Sequence, residues 1–224
     1  MTHNNSDWYY KEPDRSLFDR RMVEYKKKII DPFFPKDKAV KVLDIACGYG
    51  MFLEAARRVG YENCEGQDIS EASVRYVKDK LHLKAEQNDL EAFLNSKSPE
   101  TYDVITAINI IEHIKKEKIQ DVLRLIQNRI KKGGTFIMEA PNALSPLGLA
   151  TFYSDYTHEW PFTPVLIRSS FENAGLVETK IVPTYVNSNR IIRLCQKIFS
   201  KIIGLDNKLF WSGSLVAVGK KPTT

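Results

Sequence analysis

Val42-Leu43-Asp44-Ile45-Ala46-Cys47-Gly48-Tyr49-Gly50 reads as a buried strand that runs directly into a glycine turn. A second apolar unit follows it and ends at Gly66-Gln67-Asp68-Ile69-Ser70. That pairing is how an α/β domain builds a pocket for a nucleoside-bearing cofactor at the carboxyl ends of its strands. Outward from this stretch the pattern alternates. Strands are expected at 40–45, 63–67, 82–86, 102–107 and 135–139. Helices are expected at 51–59, 71–80, 89–95 and 115–131, with Lys132-Gly133-Gly134 as a turn. Strands separated by helices of this length imply right-handed crossovers and a mostly parallel sheet. Further on, a helix at 164–174, a strand at 176–182, a helix at 190–203 and a last strand at 214–219 are expected. The last strand enters the sheet late, and an antiparallel pairing is open to it.

The turn discriminates between cofactors. Glycine lets the backbone approach a ligand closely, and Gly48 and Gly50 supply that freedom. Asp68 ends the second strand, 18 residues after Gly50, where an acceptor for ribose hydroxyls belongs. The dinucleotide fingerprint has a third glycine, but Leu53 occupies that position, which argues against NAD. The lysine of a nucleoside-triphosphate loop is absent as well. Asp44, placed just before the turn, disfavours phosphate and suits a cationic cofactor such as a sulfonium or its amino group.

On these residues the chain resembles the class I S-adenosylmethionine-dependent methyltransferases, over roughly 38–182 and loosely over its whole length. The resemblance implies an α/β, Rossmann-like class I methyltransferase fold: a central, mostly parallel seven-stranded sheet with helices on both faces. It also implies S-adenosyl-L-methionine as cofactor. Asp44, Ala46, Gly48, Tyr49 and Gly50 look like the family's first motif, which holds the methionine part. Asp68 looks like the ribose ligand, with Ile69 beside the adenine. Asn88, Asp89 and Leu90 look like the segment that meets the adenine amine. Asn109, in Asn109-Ile110-Ile111-Glu112-His113-Ile114, looks like the residue bordering the methionine moiety after strand four. Asp89 read alone is equally a helix cap.

The acceptor side is expected around 141–163, a proline- and aromatic-rich connection with no clear period. It carries Tyr153, Asp155, Tyr156, His158, Glu159 and Trp160. Pro141-Asn142, Phe152-Tyr153-x-Asp155-x-Thr157-His158 and Phe162-Thr163-Pro164 are similar to methyltransferases encoded with bacterial surface-polysaccharide machinery. This resemblance implies O-methylation of a sugar hydroxyl on a saccharide, sugar nucleotide or glycan. Alternatives are a carboxylate or nitrogen acceptor, or an inactive binding subunit of the same fold. A hydroxyl must give up its proton, and a histidine near neutral pKa is the usual base. His158 and His113 are the two candidates, with His158 favoured. Asp155 is placed to orient the imidazole or hold a sugar hydroxyl. Tyr153, Tyr156, Glu159, Trp160 and Arg190 are the candidate substrate contacts. Asp155, His158, Glu159 and Glu112 offer donors for a divalent cation, but their spacing is not diagnostic and no metal is expected.

The 224 residues, 43% of them hydrophobic, fit one large domain with additions. Residues 1–38 are expected as a helical cap, either covering the core or closing as a lid with Trp8, Tyr9 and Tyr10. Residues 39–224 are the cofactor-binding domain. The net charge of +5 suits an anionic or phosphorylated ligand, and no basic run long enough for nucleic acid occurs. Expected partners are a small-molecule or glycan substrate, phosphorylated or lipid-linked in some versions. A homo-oligomer and peripheral membrane contact stay open. Cys47, Cys64 and Cys195 match neither a zinc site nor a disulfide framework. With no signal region or membrane span expected, the setting is read as cytoplasmic. Residues 190–203 combine a basic stripe of Arg190, Arg193, Lys197 and Lys201 with a wide apolar arc. Three accounts of that arc compete: packing on the core or a partner subunit, an anionic membrane surface, and an acceptor groove.

Overall fold

The computed structural model describes residues 14–184 and 190–224. Trp8, Tyr9, Tyr10 and His3 lie outside the described residues, as does the side chain of Arg190. The chain divides into two compact units. The first is Met1–Ala107 with Asn128–Gly134, and the second is Ile108–Gln127 with Thr135–Thr224.

The first unit opens with α1 (Arg15–Tyr25), capped by Asp14, whose side chain accepts from Leu17 N. The helical cap expected over 1–38 is not one uniform helix in its described part. Lys26–Ile30 takes π-helical hydrogen bonding, followed by the short α2 (Asp31–Phe33), where Pro32 is accommodated in a first turn. Phe18, Met22, Ile29 and Ile30 are buried. Tyr25 meets Phe52 edge-on at 5.6 Å, and Phe34 packs on both Phe52 and Tyr61. The described part of the N-terminal segment is therefore a cover on α3 (Met51–Arg58). Strands β1 (Val42–Ile45), β2 (Cys64–Asp68), β3 (Lys84–Gln87) and β4 (Tyr102–Ile108) alternate with α3, α4 (Glu71–Asp79) and α5 (Leu90–Ser96). β1 pairs in parallel with both β2 and β4, and β2 with β3. β1 is buried along its whole length, which is why apolar residues occupy both of its faces and Asp44 is enclosed among them.

The second unit holds a 3₁₀ turn (Ile111–His113), most of α6 (Lys116–Arg129), and the greater part of β5 (Ile130–Pro141). It continues with α7 (Pro146–Tyr153), α8 (Pro164–Asn173), β6 (Val177–Pro183), α9 (Arg190–Ile203), α10 (Asn207–Trp211) and β7 (Ser214–Lys220). β7 runs antiparallel to both β5 and β6, the late insertion expected for the last strand. The seven strands form a sheet in the order β3-β2-β1-β4-β5-β7-β6.

Two expectations are corrected here. Residues 130–134, assigned to a helix end and a turn, begin β5 instead. The close packing at this point requires Gly134, because a Cβ there would stand 2.8 Å from the Asp103 carbonyl oxygen. The connection 141–163 is not irregular throughout. Ser145 caps α7 by accepting from Leu147 N, and Pro146 takes the first helical position, where its missing N–H has no cost. Gly148 packs against the Asn142 backbone, which a Cβ would strike at 2.1 Å.

Candidate functional site

In the first unit, the turn after β1 is built from left-handed backbone. Ala46, Gly48 and Gly50 have φ of 51°, 50° and 73°. Gly50 is the residue before α3, and a Cβ on it would sit 2.8 Å from Val77 Cγ2, so both conformation and space require glycine. Two side chains from β2 hold the turn. Asp68 Oδ2 accepts from Gly48 N at 2.8 Å, and its Oδ1 accepts from Ser70 N at 2.8 Å. Gln67 Oε1 accepts from Ala46 N at 3.2 Å, while its amide donates to the Asn88 carbonyl at 2.6 Å. One buried glutamine thus ties the β1 turn to the end of β3. Gly66 completes the packing, since a Cβ there would be 2.6 Å from Cys47 Sγ and 2.7 Å from Leu53 Cδ1. Gln67 and Gly66 were quoted in the sequence but given no role. A buried polar residue beside the ribose acid was the signal available.

Asp68 is buried, and burial, opposed by its backbone hydrogen bonds, holds its carboxyl above the usual range. A carboxylate has about four acceptor positions and the two hydrogen bonds use two of them, so it retains capacity for ribose hydroxyls. Asp44 is 3% exposed and accepts from Thr106 Oγ1 at 2.6 Å. Burial pushes it up to about 7, with the Asp68 charge acting in the same sense and the Thr106 hydroxyl opposing. Tyr49 meets Tyr76 edge-on at 5.2 Å. Ile69 is 63% exposed beside Asp68, which leaves its apolar face open to an adenine ring. Asn88 N donates to the Asp68 carbonyl at 3.1 Å. Asp89 caps α5, its Oδ1 accepting from Glu91 N and Ala92 N, and Leu90 is the first residue of that helix.

In the second unit, Asn109 is held at φ 52° and donates its N–H to the Glu139 carbonyl at 2.9 Å. The 3₁₀ turn that follows delivers Glu112 and His113, and the Glu112 carbonyl accepts from Glu159 N at 2.8 Å. That backbone bond docks the 155–160 segment on the turn and brings the two histidines together. Their ring centroids are 4.6 Å apart. His158 stacks on Phe152, centroids 5.1 Å apart, and its Nδ1 lies 2.8 Å from the Phe152 carbonyl oxygen. Because a carbonyl only accepts, the proton of the neutral ring is on Nδ1, which leaves a lone pair on Nε2. His113 Nδ1 lies 2.9 Å from Thr157 Oγ1, and that hydroxyl donates to Asp155 Oδ1 at 2.7 Å. Thr157 has one proton and it goes to Asp155, so His113 Nδ1 is the donor and its Nε2 also carries a lone pair. Thr157 was not among the sequence candidates.

Two buried carboxylates face this pair. Asp155 Oδ2 has no hydrogen-bond partner and lies 3.7 Å from His158 Nε2. Glu112 is 1% exposed and both of its oxygens lack partners. Burial, with the Glu139 charge, pushes Glu112 up to about 8. Burial and the neighbouring His158 push His113 down to about 4, so it is neutral at physiological pH. One ligand atom from each of Glu112, His113 and His158 lies within 4.8 Å of the others, a donor set a divalent cation could use. Asp155 and Glu159, included in the sequence-based set, are not in this group. Tyr153 and Tyr156 are 77% and 76% exposed, and Glu159 is exposed. Trp160 N donates to the Glu112 carbonyl at 3.3 Å, and its ring lies under Lys116, whose Nζ is 4.0 Å from the centroid.

The family described as "Methyltransferase domain" matches residues 18–196. Among curated proteins, the chain is 29% identical over 130 residues to a ubiquinone biosynthesis O-methyltransferase of Mesorhizobium japonicum, covering 55% of this chain and 50% of that protein. It is 23% identical over 130 residues to a ribosomal protein L11 methyltransferase of Photobacterium profundum, covering 58% and 42%. The chain thus spans about half the length of these relatives. Among solved structures, a SAM-dependent methyltransferase from Archaeoglobus fulgidus superposes with a TM-score of 0.72 at 24% identity, covering 97% and 98% of the two chains, a likeness of fold. The match over most of the chain, on a sheet of this order with a glycine turn braced by Asp68, means that the chain belongs to the methyltransferase-domain family.

Proposed function

We propose that the chain transfers the methyl group of S-adenosyl-L-methionine to a hydroxyl oxygen of a saccharide, sugar nucleotide or glycan, with His158 as general base. In this reading Asp44, Gly48, Gly50, Asp68 and Ile69 are the cofactor contacts. The observation that carries it is the proton geometry at His158: Nδ1–H is committed to the Phe152 carbonyl, and the Nε2 lone pair stands 3.7 Å from the partnerless Asp155 Oδ2. A proton arriving at Nε2 makes an imidazolium beside Asp155, whose Oδ1 is taken by Thr157 N and Oγ1 and whose Oδ2 has no other hydrogen-bond partner. His113, already pushed down to about 4, has little basicity to offer.

The step balances as an in-line displacement. The acceptor oxygen forms a bond to the methyl carbon, the carbon–sulfur bond breaks, the sulfonium becomes a neutral thioether, and the hydroxyl proton passes to Nε2 of His158. The exposed rings of Tyr153 and Tyr156 offer apolar faces of the kind that sugar rings stack on. The O-methyl class is also the one in the name of the Mesorhizobium relative. His158→Ala should lower kcat roughly 10²–10⁴-fold while leaving cofactor affinity unchanged. Near-normal turnover in that variant refutes the base assignment, and a turnover screen of sugar nucleotides against non-sugar hydroxyls, carboxylates and amines tests the acceptor class.

One observation favours a second way of activating the same hydroxyl. Glu112, His113 and His158 form a two-histidine, one-carboxylate set, and both Glu112 oxygens are buried without a partner. A divalent cation held by these three residues would supply Lewis-acid activation of an acceptor hydroxyl in place of a protein base. Loss of turnover in EDTA with recovery on adding Mg²⁺ or Zn²⁺ selects this version. Full turnover in EDTA selects the histidine base.

A further inference from the structure

The second unit turns its most apolar helix face to solvent. On α9, Leu194, Ile198 and Ile202 are 59%, 53% and 77% exposed, and Ile191 at the helix start is 75% exposed. Spaced by three and four residues, they form one ridge along about 16 Å of helix. The helix grips the protein by a different edge. Ser200 is buried, its Oγ accepts from Trp211 Nε1 at 3.0 Å, and its hydroxyl donates to Asn207 Oδ1 at 3.3 Å. The Gln196 carbonyl accepts from the same indole at 3.3 Å. At about 100° per residue, Gln196 and Ser200 lie roughly opposite the ridge. An amphipathic helix normally buries its apolar face and shows its polar one. Here the polar edge docks on α10 and the apolar ridge points away. Packing on the core, one of the accounts open from the sequence, is therefore excluded for this ridge.

Charge identifies what covers it. Arg193, Lys197 and Lys201 are exposed along one flank of the ridge. No aspartate or glutamate occurs from Arg190 to Leu205. A second copy of this chain paired across a twofold axis would set these cations against their own counterparts, with no carboxylate in the segment to offset them. The surface calls instead for an occupant that is apolar inside and anionic at its edge. With 14 residues and a flank of cations, α9 is too short and too charged to cross a bilayer, and no described helix is long and apolar enough to do so.

We propose that α9 lies flat on an anionic lipid bilayer. Leu194, Ile198 and Ile202 sink into the headgroup–acyl boundary, and Arg193, Lys197 and Lys201 bend their stems outward so that the charged ends meet lipid phosphates. The docking is independent of which acceptor is methylated. It predicts a protein that partitions reversibly, because a single amphipathic helix with a few cations is a modest anchor.

The test is flotation of the full chain with vesicles of phosphatidylcholine alone and with about one-third phosphatidylglycerol. Binding to the anionic vesicles should be at least about tenfold tighter, and it should weaken between roughly 0.05 and 0.5 M salt as the Debye length shortens. Lys197→Glu with Lys201→Glu should lower it by about tenfold or more. Ile198→Asp with Ile202→Asp should remove it, and both double variants should keep wild-type affinity for S-adenosylmethionine in calorimetry as the check of folding. Equal binding to the two vesicle types, or wild-type binding by the double variants, overturns the proposal. So does an absence of vesicle binding with a dimer that Ile198→Asp dissociates, which assigns the ridge to a second copy.

Discussion

Replacing Asp44 by asparagine separates the cost of a buried carboxylate from its use. Asp44 is 3% exposed, and burial holds its carboxyl at about 7 against an ordinary value of 3.8. The folded protein therefore keeps this proton over a range in which the unfolded chain has released it. Stability from this group is fully present below pH 3.8, declines as pH rises, and is lost as pH passes about 7. The difference of about 3 units corresponds to about 4 kcal/mol as an upper figure. Asp44→Asn removes the titrating group and keeps an oxygen that can accept from Thr106 Oγ1. In urea unfolding of the cofactor-free protein, the variant should gain on wild type by about 1–4 kcal/mol between pH 5 and pH 8. Calorimetry at pH 8 should show the reverse for function: the variant should bind S-adenosylmethionine about tenfold or more weakly, because a carboxylate beside a sulfonium or ammonium has become a neutral amide. Parallel pH profiles for the two proteins, or undiminished cofactor affinity in the variant, would refute this reading of Asp44.

Other expectations follow from the same turn and from the histidine pair. Gly50→Ala forces a Cβ to 2.8 Å from Val77 at a φ of 73°, so it should cost roughly 1–3 kcal/mol in denaturant unfolding. Gly66→Ala drives a methyl group into Cys47 Sγ and Leu53, and should weaken cofactor binding together with stability, because Cys47 belongs to the turn itself. His113→Ala should cut turnover less than His158→Ala, since a ring held near 4 has little basicity to lose; a larger loss would exchange the two roles.

The geometry of the turn proposed to hold the cofactor was legible because it is local. A strand, a turn that needs glycine and an acid at the next strand end are short-range facts, and Gly48, Gly50, Asp44 and Asp68 stand where that pattern puts them. The braces were not legible. Gln67 and Gly66 act on a turn some twenty residues away, and no spacing announces such a contact. The acceptor side was read as residue types without geometry. His113 and His158 are 45 positions apart and meet through one backbone bond from Glu159 to Glu112, while Thr157, which fixes the His113 tautomer, carries no signal of its own. The helix α7 was overlooked despite its Ser145-Pro146 start, because its apolar residues show no clear period. For α9 the sequence supplied an apolar arc and a basic stripe, but not the direction in which the arc faces. Ser200 and Trp211 decide that through a hydrogen bond between two helices.

The most direct test of the central claim is calorimetric titration of the purified chain with S-adenosylmethionine, wild type against Asp68→Ala. The account predicts one cofactor per chain with a dissociation constant in the range of about 1 μM to 1 mM. It also predicts at least about tenfold weaker binding in the variant, which loses both a ribose acceptor and the brace on Gly48. No binding by the wild-type protein, or equal binding by the variant, would contradict it.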